Sequence, residues 1–381
     1  MTSWFEQLVG KENISDELID LEVYSTDGSQ IKGKADKVLW VTDAEQVHQI
    51  ILYARRNKQA IVPRGAGTSL VGGVVPFDAI VMDFAKMNKI LSIQKYYAEV
   101  EPGVVFSDLN NRLGDMFFPV VPEDGNICTI GGMCGINSSG FYEKRYGRMK
   151  DWILGIEMID GTGKLRKCGN EVIGTEGLLG AITKIKLKLT DRVFEKSMDV
   201  FTFSTIEEML SKVSDLKFNK EVLAIEYISV SAAILSGLEN KHYLIVEYEG
   251  LNGKITEAKE IEKIWQIRKG VYKKLASKGF TFLEDPSVSL ENMAEFIYWL
   301  EKKGIPSFGP IGVNVLHPCF DKREDIRDMY DAVLRLHGDV GKRTGYGILK
   351  KDFVSDLFRM EIKNLKEIHD PNGIMNKGKV I

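Results

Sequence analysis

The stretch IVPRGAGTSLVGG at residues 61–73 limits what this chain can fold into more than any other segment. A short apolar strand signal, Ile61–Val62, passes through Pro63 into a loop that holds Gly65, Gly67, Gly72 and Gly73. Glycine loses more conformational freedom on folding than any other residue, so such a cluster after a buried strand marks a close approach of backbone to something else. A Rossmann fingerprint is excluded. After Gly65 and Gly67 the third glycine position is Leu70, and the residues beyond it read as loop and strand, whereas that fingerprint must open a helix. A non-helical anion nest remains. Backbone N–H groups of Gly65, Ala66, Gly67, Thr68 and Ser69 can converge on an anion when no side chain blocks them, with Arg64 and the Thr68 and Ser69 hydroxyls as further donors.

Two more glycine-rich segments lie downstream, GNICTIGGMCGINSSGFYEKRYG at 125–147 and GTEGLLGAITKIKLKLT at 174–190. The first is unlike a strand or a helix interior and reads as a long, backbone-exposing segment. The second is a loop feeding a strand, with Ile182, Ile185, Leu187 and Leu189 as its apolar positions. Three such loops in one domain suit a long ligand threaded along backbone, and FAD has that shape, with a pyrophosphate at its centre. Residues 36–62 read as strand, helix and strand: DKVLWV, a helix capped by Thr42 with Val47, Ile50, Ile51 and Ala54 on one face, then AIVP. AIVMDF and YAEVEPGV are further strands, and SDLNNRLGDM is a short helix capped by Ser107. From about residue 191 helices such as TIEEMLSKVSDLK and LENMAEFIYWLEKKG alternate with strands such as VLAIEYISV and KHYLIVEYEG, which places a domain boundary there.

At 381 residues the chain is too long for one ordinary domain. A net charge of −3 gives no electrostatic case for nucleic acid or an anionic membrane surface. The N-terminus has no basic start followed by an apolar core, so no signal peptide is expected. No apolar run approaches the roughly 20 residues that span a bilayer. Cys128, Cys134, Cys168 and Cys319 make no disulfide framework, and reduced thiols in a cytoplasmic protein are expected.

The order PRGAGTSLVGG, VEPGVVFSDLNNRL, TIGGMCGINSSG–KRYGRMKDWILGIEMIDGTG and GTEGLLGAITKIKLKL resembles the FAD-binding domain of the FAD-linked oxidases of vanillyl-alcohol oxidase/p-cresol methylhydroxylase type. Within these the chain is most similar to the glycolate oxidase flavin subunit and the D-lactate and D-2-hydroxyglutarate dehydrogenases. The ending DPNGIMNKGK resembles their DPxGxxNPGK, with Lys377 in place of the usual proline. The resemblance implies an α+β fold: an FAD domain of two subdomains over 1–190 (core about 34–190), an α/β cap over 191–335 covering the flavin ring, and a C-terminal segment, 336–381, returning to the FAD domain. It also implies roles. Arg64 to Ser69 would hold the pyrophosphate; Thr129, Gly131, Gly132, Gly135, Asn137 and Ser138 would run along the ribityl and flavin portions. Ile182 would meet the adenine side, and Asn376 would approach the ring. Members with covalent flavin attach it through a His or Cys in these loops. The first loop has neither and Cys128 and Cys134 are poor candidates, so non-covalent FAD is expected.

The cap departs from the family pattern. The family's WxxR arginine, which pairs with a substrate carboxylate, has its counterpart in Trp265 and Arg268. The H-x-G-D-G-N-x-H metal motif reads PIGVNVLHP here, with Pro310 for the first histidine, Val315 for the asparagine, and His317 retained. The later S-G-E-H-G-I-G reads GKRTGYG, so Arg343 replaces the metal-binding glutamate and Thr344 the histidine base. Zinc needs three or four ligands, so no catalytic metal is expected, and Arg343 would put a positive charge where the cation would sit. His317 is the candidate base for the hydroxyl proton, with Tyr346 in reserve.

The expected activity is FAD-dependent dehydrogenation of a small, anionic 2-hydroxy acid of the glycolate/D-lactate class, with electrons passing to a quinone, an electron carrier or an iron–sulfur subunit. Such a partner could hold the chain at the inner face of the membrane. Two alternatives stand beside it: an FAD enzyme acting on a polyol, sugar acid or phosphorylated alcohol, and a flavoprotein subunit of an electron-transfer complex with a degenerate active site.

Overall fold

The computed structural model describes residues 3–341 and 343–381. The chain forms two compact units, one built from the chain up to Ser139, Arg148–Arg192 and Thr344–Ile381, the other from Gly140–Gly147 and Val193–Arg343.

The first unit holds two principal sheets. One is ordered Ile14–Ser15, Lys34–Trp40, Phe77–Asp83, Ala60–Arg64, and its last three strands are parallel. Parallel neighbours need a crossover, and Ala44–Asn57 supplies one as a helix whose Val47, Ile50, Ile51 and Ala54 are fully buried, as their spacing predicts. The helix cap is Asp43 rather than Thr42. The Asp43 carboxylate accepts the Gln46 N–H at 2.9 Å, while Thr42 gives its own N–H to the Gln46 side chain. An acidic cap also suits the positive end of the helix dipole.

The second sheet is antiparallel, ordered Ile90–Ile93, Tyr97–Val100, Gly180–Lys188, Ile153–Asp160, Leu165–Cys168. A register shift between Ile182 and Lys184 explains the three-residue step from Ile182 to Ile185, since the extra residue lets both side chains join one apolar cluster. Segment 125–147 is not wholly irregular. Thr129 accepts the Gly132 N–H and caps a short helix, Ile130–Gly135, and a single turn spans Glu143–Tyr146. The helix Phe106–Arg112 starts ahead of Ser107, with Val105 at its cap and no side-chain bond there.

The last helix, Asp356–His369, leads into a tail pinned by two side chains. Asp370 accepts the N–H groups of Ile374 (3.1 Å) and Met375 (2.9 Å), and the Lys366 ammonium donates to the Leu178 and Met375 carbonyls. Ile61 and Met375 form a parallel bridge, and Asn376 donates its N–H to the Ile61 carbonyl at 2.8 Å. The tail thus extends the first sheet beyond its edge strand and buries Ile374 and Met375 among Ile50, Ile51 and Ile61.

The second unit is a six-stranded antiparallel sheet ordered Lys196–Phe203, His242–Glu249, Val222–Ile228, Ser307–Gly309, His317–Phe320, Phe282–Leu283. Its main helices are Ile206–Lys217, Ala258–Ala276, Leu290–Lys302 and Asp325–Arg335. No helix among the described residues is long and apolar enough to cross a membrane.

If the tail is core rather than trim, Met375→Ala should lower the urea-unfolding free energy of the first unit by about 2–5 kcal/mol, the usual range for emptying a buried methionine site. A tail that merely lay on the surface would lose about 0.5 kcal/mol or less.

Candidate functional site

The edge strand Ala60–Arg64 ends where the first glycine loop begins. The backbone N–H groups of Gly65, Ala66, Gly67, Thr68 and Ser69 make no hydrogen bond to the described residues. Five consecutive unspent donors form an anion cradle. Gly67 sits at φ +71°, and a Cβ there would collide with the Arg64 guanidinium. Arg64 braces the cradle from beneath: it is buried, donates to the Thr26 carbonyl at 2.8 Å and lies 5.0 Å over the Tyr24 ring. The Ser69 hydroxyl oxygen accepts from Val71 and Gly73 and closes the loop. A Cβ at Gly65 would strike the Thr129 hydroxyl, so the first and second glycine segments meet there.

Arg64, Gly65 and Ser69, then Thr129, Gly131, Gly132 and Gly135, then Ile182 line one cavity of about 110 Å³. Ala66 lies in an adjoining cleft of about 320 Å³, which shares Gly65 and Thr129 with the cavity. Gly67, Thr68, Asn137 and Ser138 line neither. Asn137, at φ +50°, accepts the Lys150 N–H at 3.0 Å, and buried Ser138 bonds Met133 and Met149 through its backbone. These two residues shape the second loop from behind. Asn376 stands behind the cavity wall, its amide donating to the carbonyls of Gly73 (2.9 Å) and Glu176 (2.6 Å). Its Oδ1 is buried and accepts nothing from the described residues.

Sequence reasoning missed Glu176. It lines the same cavity, is buried, and sits in the left-handed region at φ +50°. Its carboxylate accepts the N–H groups of Tyr346 (2.7 Å) and Gly347 (2.9 Å), and so ties the third glycine segment to the returning chain. Burial raises the carboxyl to about 7 against the pull of those two bonds and of Lys350 and Lys379. The one signal for it was an acid set among glycines and leucines in GTEGLLG.

An open row of N–H donors, a spare buried acceptor and glycines where a Cβ would clash fit FAD in chemistry and shape. Cys128 and Cys134 are buried, line neither cavity, and have thiols pushed up chiefly by burial. A thiol held protonated is a poor nucleophile.

The catalytic candidates other than Tyr346 belong to the second unit. Arg268, on helix Ala258–Ala276, is buried as its one-face spacing with Trp265 allows, but its guanidinium already has a partner. Its Nε and Nη2 both lie 2.6 Å from one Glu226 oxygen, and Phe308 lies beneath it at 4.6 Å. Arg268 thus stands in a buried ion pair with Glu226, a partner the sequence reading did not include. Arg343 lies 3.5 Å from Glu143 and points to the Gly140 carbonyl. His317 opens the strand His317–Phe320, half-buried, with its ring 5.4 Å from Phe308. Tyr346, in the first unit, packs its ring on Phe358 and lines neither cavity. Among the described residues no three His, Cys, Asp or Glu side chains are placed to share an ion. Lys342 of GKRTGYG lies outside the described residues.

The FAD binding domain family matches residues 35–169, and the C-terminal domain of FAD linked oxidases matches residues 197–380. The chain is 27% identical to the glycolate oxidase subunit GlcD of Bacillus subtilis, over 98% of this chain and 95% of that one. It is 28% identical to a putative mitochondrial D-lactate dehydrogenase of Schizosaccharomyces pombe (97% and 88% covered) and 25% identical to the mitochondrial D-2-hydroxyglutarate dehydrogenase of Arabidopsis thaliana (100% and 81%). The alignment with the Bacillus protein spans 448 positions against 381 residues here, so that relative carries internal segments this chain lacks. Among solved structures, substrate-bound p-cresol methylhydroxylase superposes with a TM-score of 0.77 at 16% identity, covering 99% of this chain and 95% of that one. An alkyldihydroxyacetonephosphate synthase gives 0.71 at 16% identity, covering 96% and 82%. These two likenesses establish the fold.

Gly67→Val should abolish flavin retention on purification while leaving the far-ultraviolet circular dichroism unchanged, because a β-branched residue at φ +71° distorts the cradle. Acid precipitation of the wild-type protein should leave a colourless pellet and release FAD intact. A yellow pellet would mean a covalent bond, and full flavin in the variant would mean that the loop is only a turn.

Proposed function

The chain belongs to the FAD-linked oxidases, and from that premise we propose that it is an FAD-dependent dehydrogenase oxidising the CH–OH group of a small 2-hydroxy acid. The observation that carries this reading is end-to-end similarity to relatives named for glycolate, D-lactate and D-2-hydroxyglutarate. FAD, when bound, supplies a two-electron acceptor. The backbone of Gly65–Ser69 would hold its pyrophosphate, Thr129 to Gly135 and Ile182 would flank it, and Asn376 would offer the spare acceptor. Non-covalent attachment is in keeping with the protonated, buried thiols.

His317 is the proposed base for the hydroxyl proton, ahead of Tyr346, whose ring is committed to Phe358. No metal is proposed, because Pro310 and Arg343 stand at family ligand positions and the donor set is too small. Arg268 and Arg343 each face a glutamate, so the positive charge that would meet an anionic substrate is already partly offset. That observation favours a second reading, in which the substrate is an alcohol without a carboxylate, such as a polyol.

Anaerobic addition of glycolate, D-lactate or D-2-hydroxyglutarate should bleach the flavin, and EDTA should leave the rate unchanged. Bleaching by polyols alone would move the assignment to the second reading, and loss of rate with EDTA that a divalent ion restores would restore the metal. Arg268→Ala alone strands the Glu226 charge and should destabilise the protein by about 3–5 kcal/mol. The pair Glu226→Leu/Arg268→Met should fold, since neutral residues of similar volume are tolerated at buried pairs. If Arg268 shares its charge with substrate, this double variant should raise KM for the 2-hydroxy acid tenfold or more with its FAD content intact; an unchanged KM would remove Arg268 from substrate binding.

A further inference from the structure

Glu176 is not needed to explain hydride removal or the pyrophosphate cradle, yet it is a carboxylate buried in the wall of the cofactor cavity. Burying an ionised carboxylate is expensive unless it is paired and hydrogen-bonded. Two backbone N–H groups, of Tyr346 and Gly347, meet it at 2.7 and 2.9 Å, and a Cβ at Gly345 would collide with it, so the returning chain is moulded around this group. Its own backbone is fixed as well, since its N–H donates to the Gly135 carbonyl at 2.8 Å and its carbonyl accepts from Asn376. The carboxyl therefore cannot retreat when a ligand enters.

The charged groups that face it are the ammonium groups of Lys350 and Lys379, both buried, while Asp27 faces Lys379 and Arg64 lines the same cavity. We infer that Glu176 is a proton-linked positioning residue for FAD: binding of the cofactor in the cavity it lines is coupled to the uptake of one proton onto this carboxyl. The carboxyl is already buried, and a pyrophosphate in the same cavity would bring like charge nearer to it, which disfavours the ionised form. In the cofactor-free protein the group already sits at about 7, so the transition falls in an accessible range.

Linkage sets the sign. The folded protein binds this proton more tightly than an unfolded chain does, so Glu176 adds stability as pH falls from about 7 towards the ordinary carboxylate range and opposes folding above about 7. If FAD raises the proton affinity further, FAD binding must weaken as pH rises above about 7, by at most about tenfold per unit for one proton. The inference rests on FAD as the cofactor and is independent of the substrate.

The test is titration of the full-length, flavin-stripped protein with FAD at pH 6.5, 7.5 and 8.5, followed by calorimetry at pH 7.5 in phosphate and in Tris. Wild type should lose about tenfold in affinity between pH 7.5 and 8.5, with a binding enthalpy that differs between the buffers as proton uptake requires. Glu176→Gln, which resembles the neutral acid, should bind FAD with nearly the wild-type affinity of pH 6.5 and show neither the slope nor the buffer difference. A purely architectural glutamate would give equal pH profiles in the two proteins, and that result overturns the inference. Should the variant fail to fold, the wild-type buffer comparison decides alone: equal enthalpies contradict proton uptake. A wild-type protein that binds no FAD at any pH would overturn the cofactor assignment itself, and that outcome is distinct from FAD binding without pH dependence.

Discussion

Five consecutive backbone N–H groups that make no hydrogen bond to the described residues, Gly65 through Ser69, are the constraint around which the first unit is organised. The loop that carries them is half-buried to exposed, so a ligand can reach these donors. Arg64 is held by the Thr26 carbonyl and the Tyr24 ring, so the floor under Gly67 is rigid before any ligand arrives. The Ser69 hydroxyl oxygen accepts the N–H groups of Val71 and Gly73 and so fixes the turn that follows. Thr129 closes the other side against Gly65. Hydrogen bonds to a charged partner are worth about 1.5–3 kcal/mol each, so a pre-shaped row of donors can bind a pyrophosphate tightly with little reordering.

Hydrogen bonds to backbone also join distant parts of the chain. The Val71 carbonyl accepts from Ile348, Asn376 bonds the Ile61 backbone and the Gly73 and Glu176 carbonyls, and Val380 donates to Gly347. The C-terminal segment therefore packs behind residues that line the cavity, and a Cβ at Gly347 would collide with the Val71 carbonyl. The second unit is built differently. Its sheet buries Glu226 against Arg268 and Glu247 against Lys196. Such pairs seldom add net stability, but they make single-charge substitutions costly.

Much of this was legible in the sequence where local chemistry decides the outcome. Helical spacing in Ala44–Asn57 identified its buried face, and each of the three glycine-rich segments supplies glycines that line one cavity: Gly65, then Gly131, Gly132 and Gly135, then Gly177 and Gly180. Caps were less legible: Thr42 and Asp43 are both good N-caps, and only the fold shows which side chain meets Gln46. Partners distant in sequence were not legible at all. Glu226 precedes Arg268 by 42 residues, and Glu176 is 170 residues from Tyr346. No periodicity links such pairs, so the glutamates that face Arg268 and the returning chain were not visible beside their partners.

The most direct measurement is a crystal structure of the FAD complex. Pyrophosphate oxygens are expected within hydrogen-bond reach of the Gly65–Ser69 amides, with an acceptor contact from Asn376 Oδ1 and no bond from Cys128 or Cys134 to the flavin. A pyrophosphate seated elsewhere, with those five amides still facing water, would contradict the assignment of the cradle.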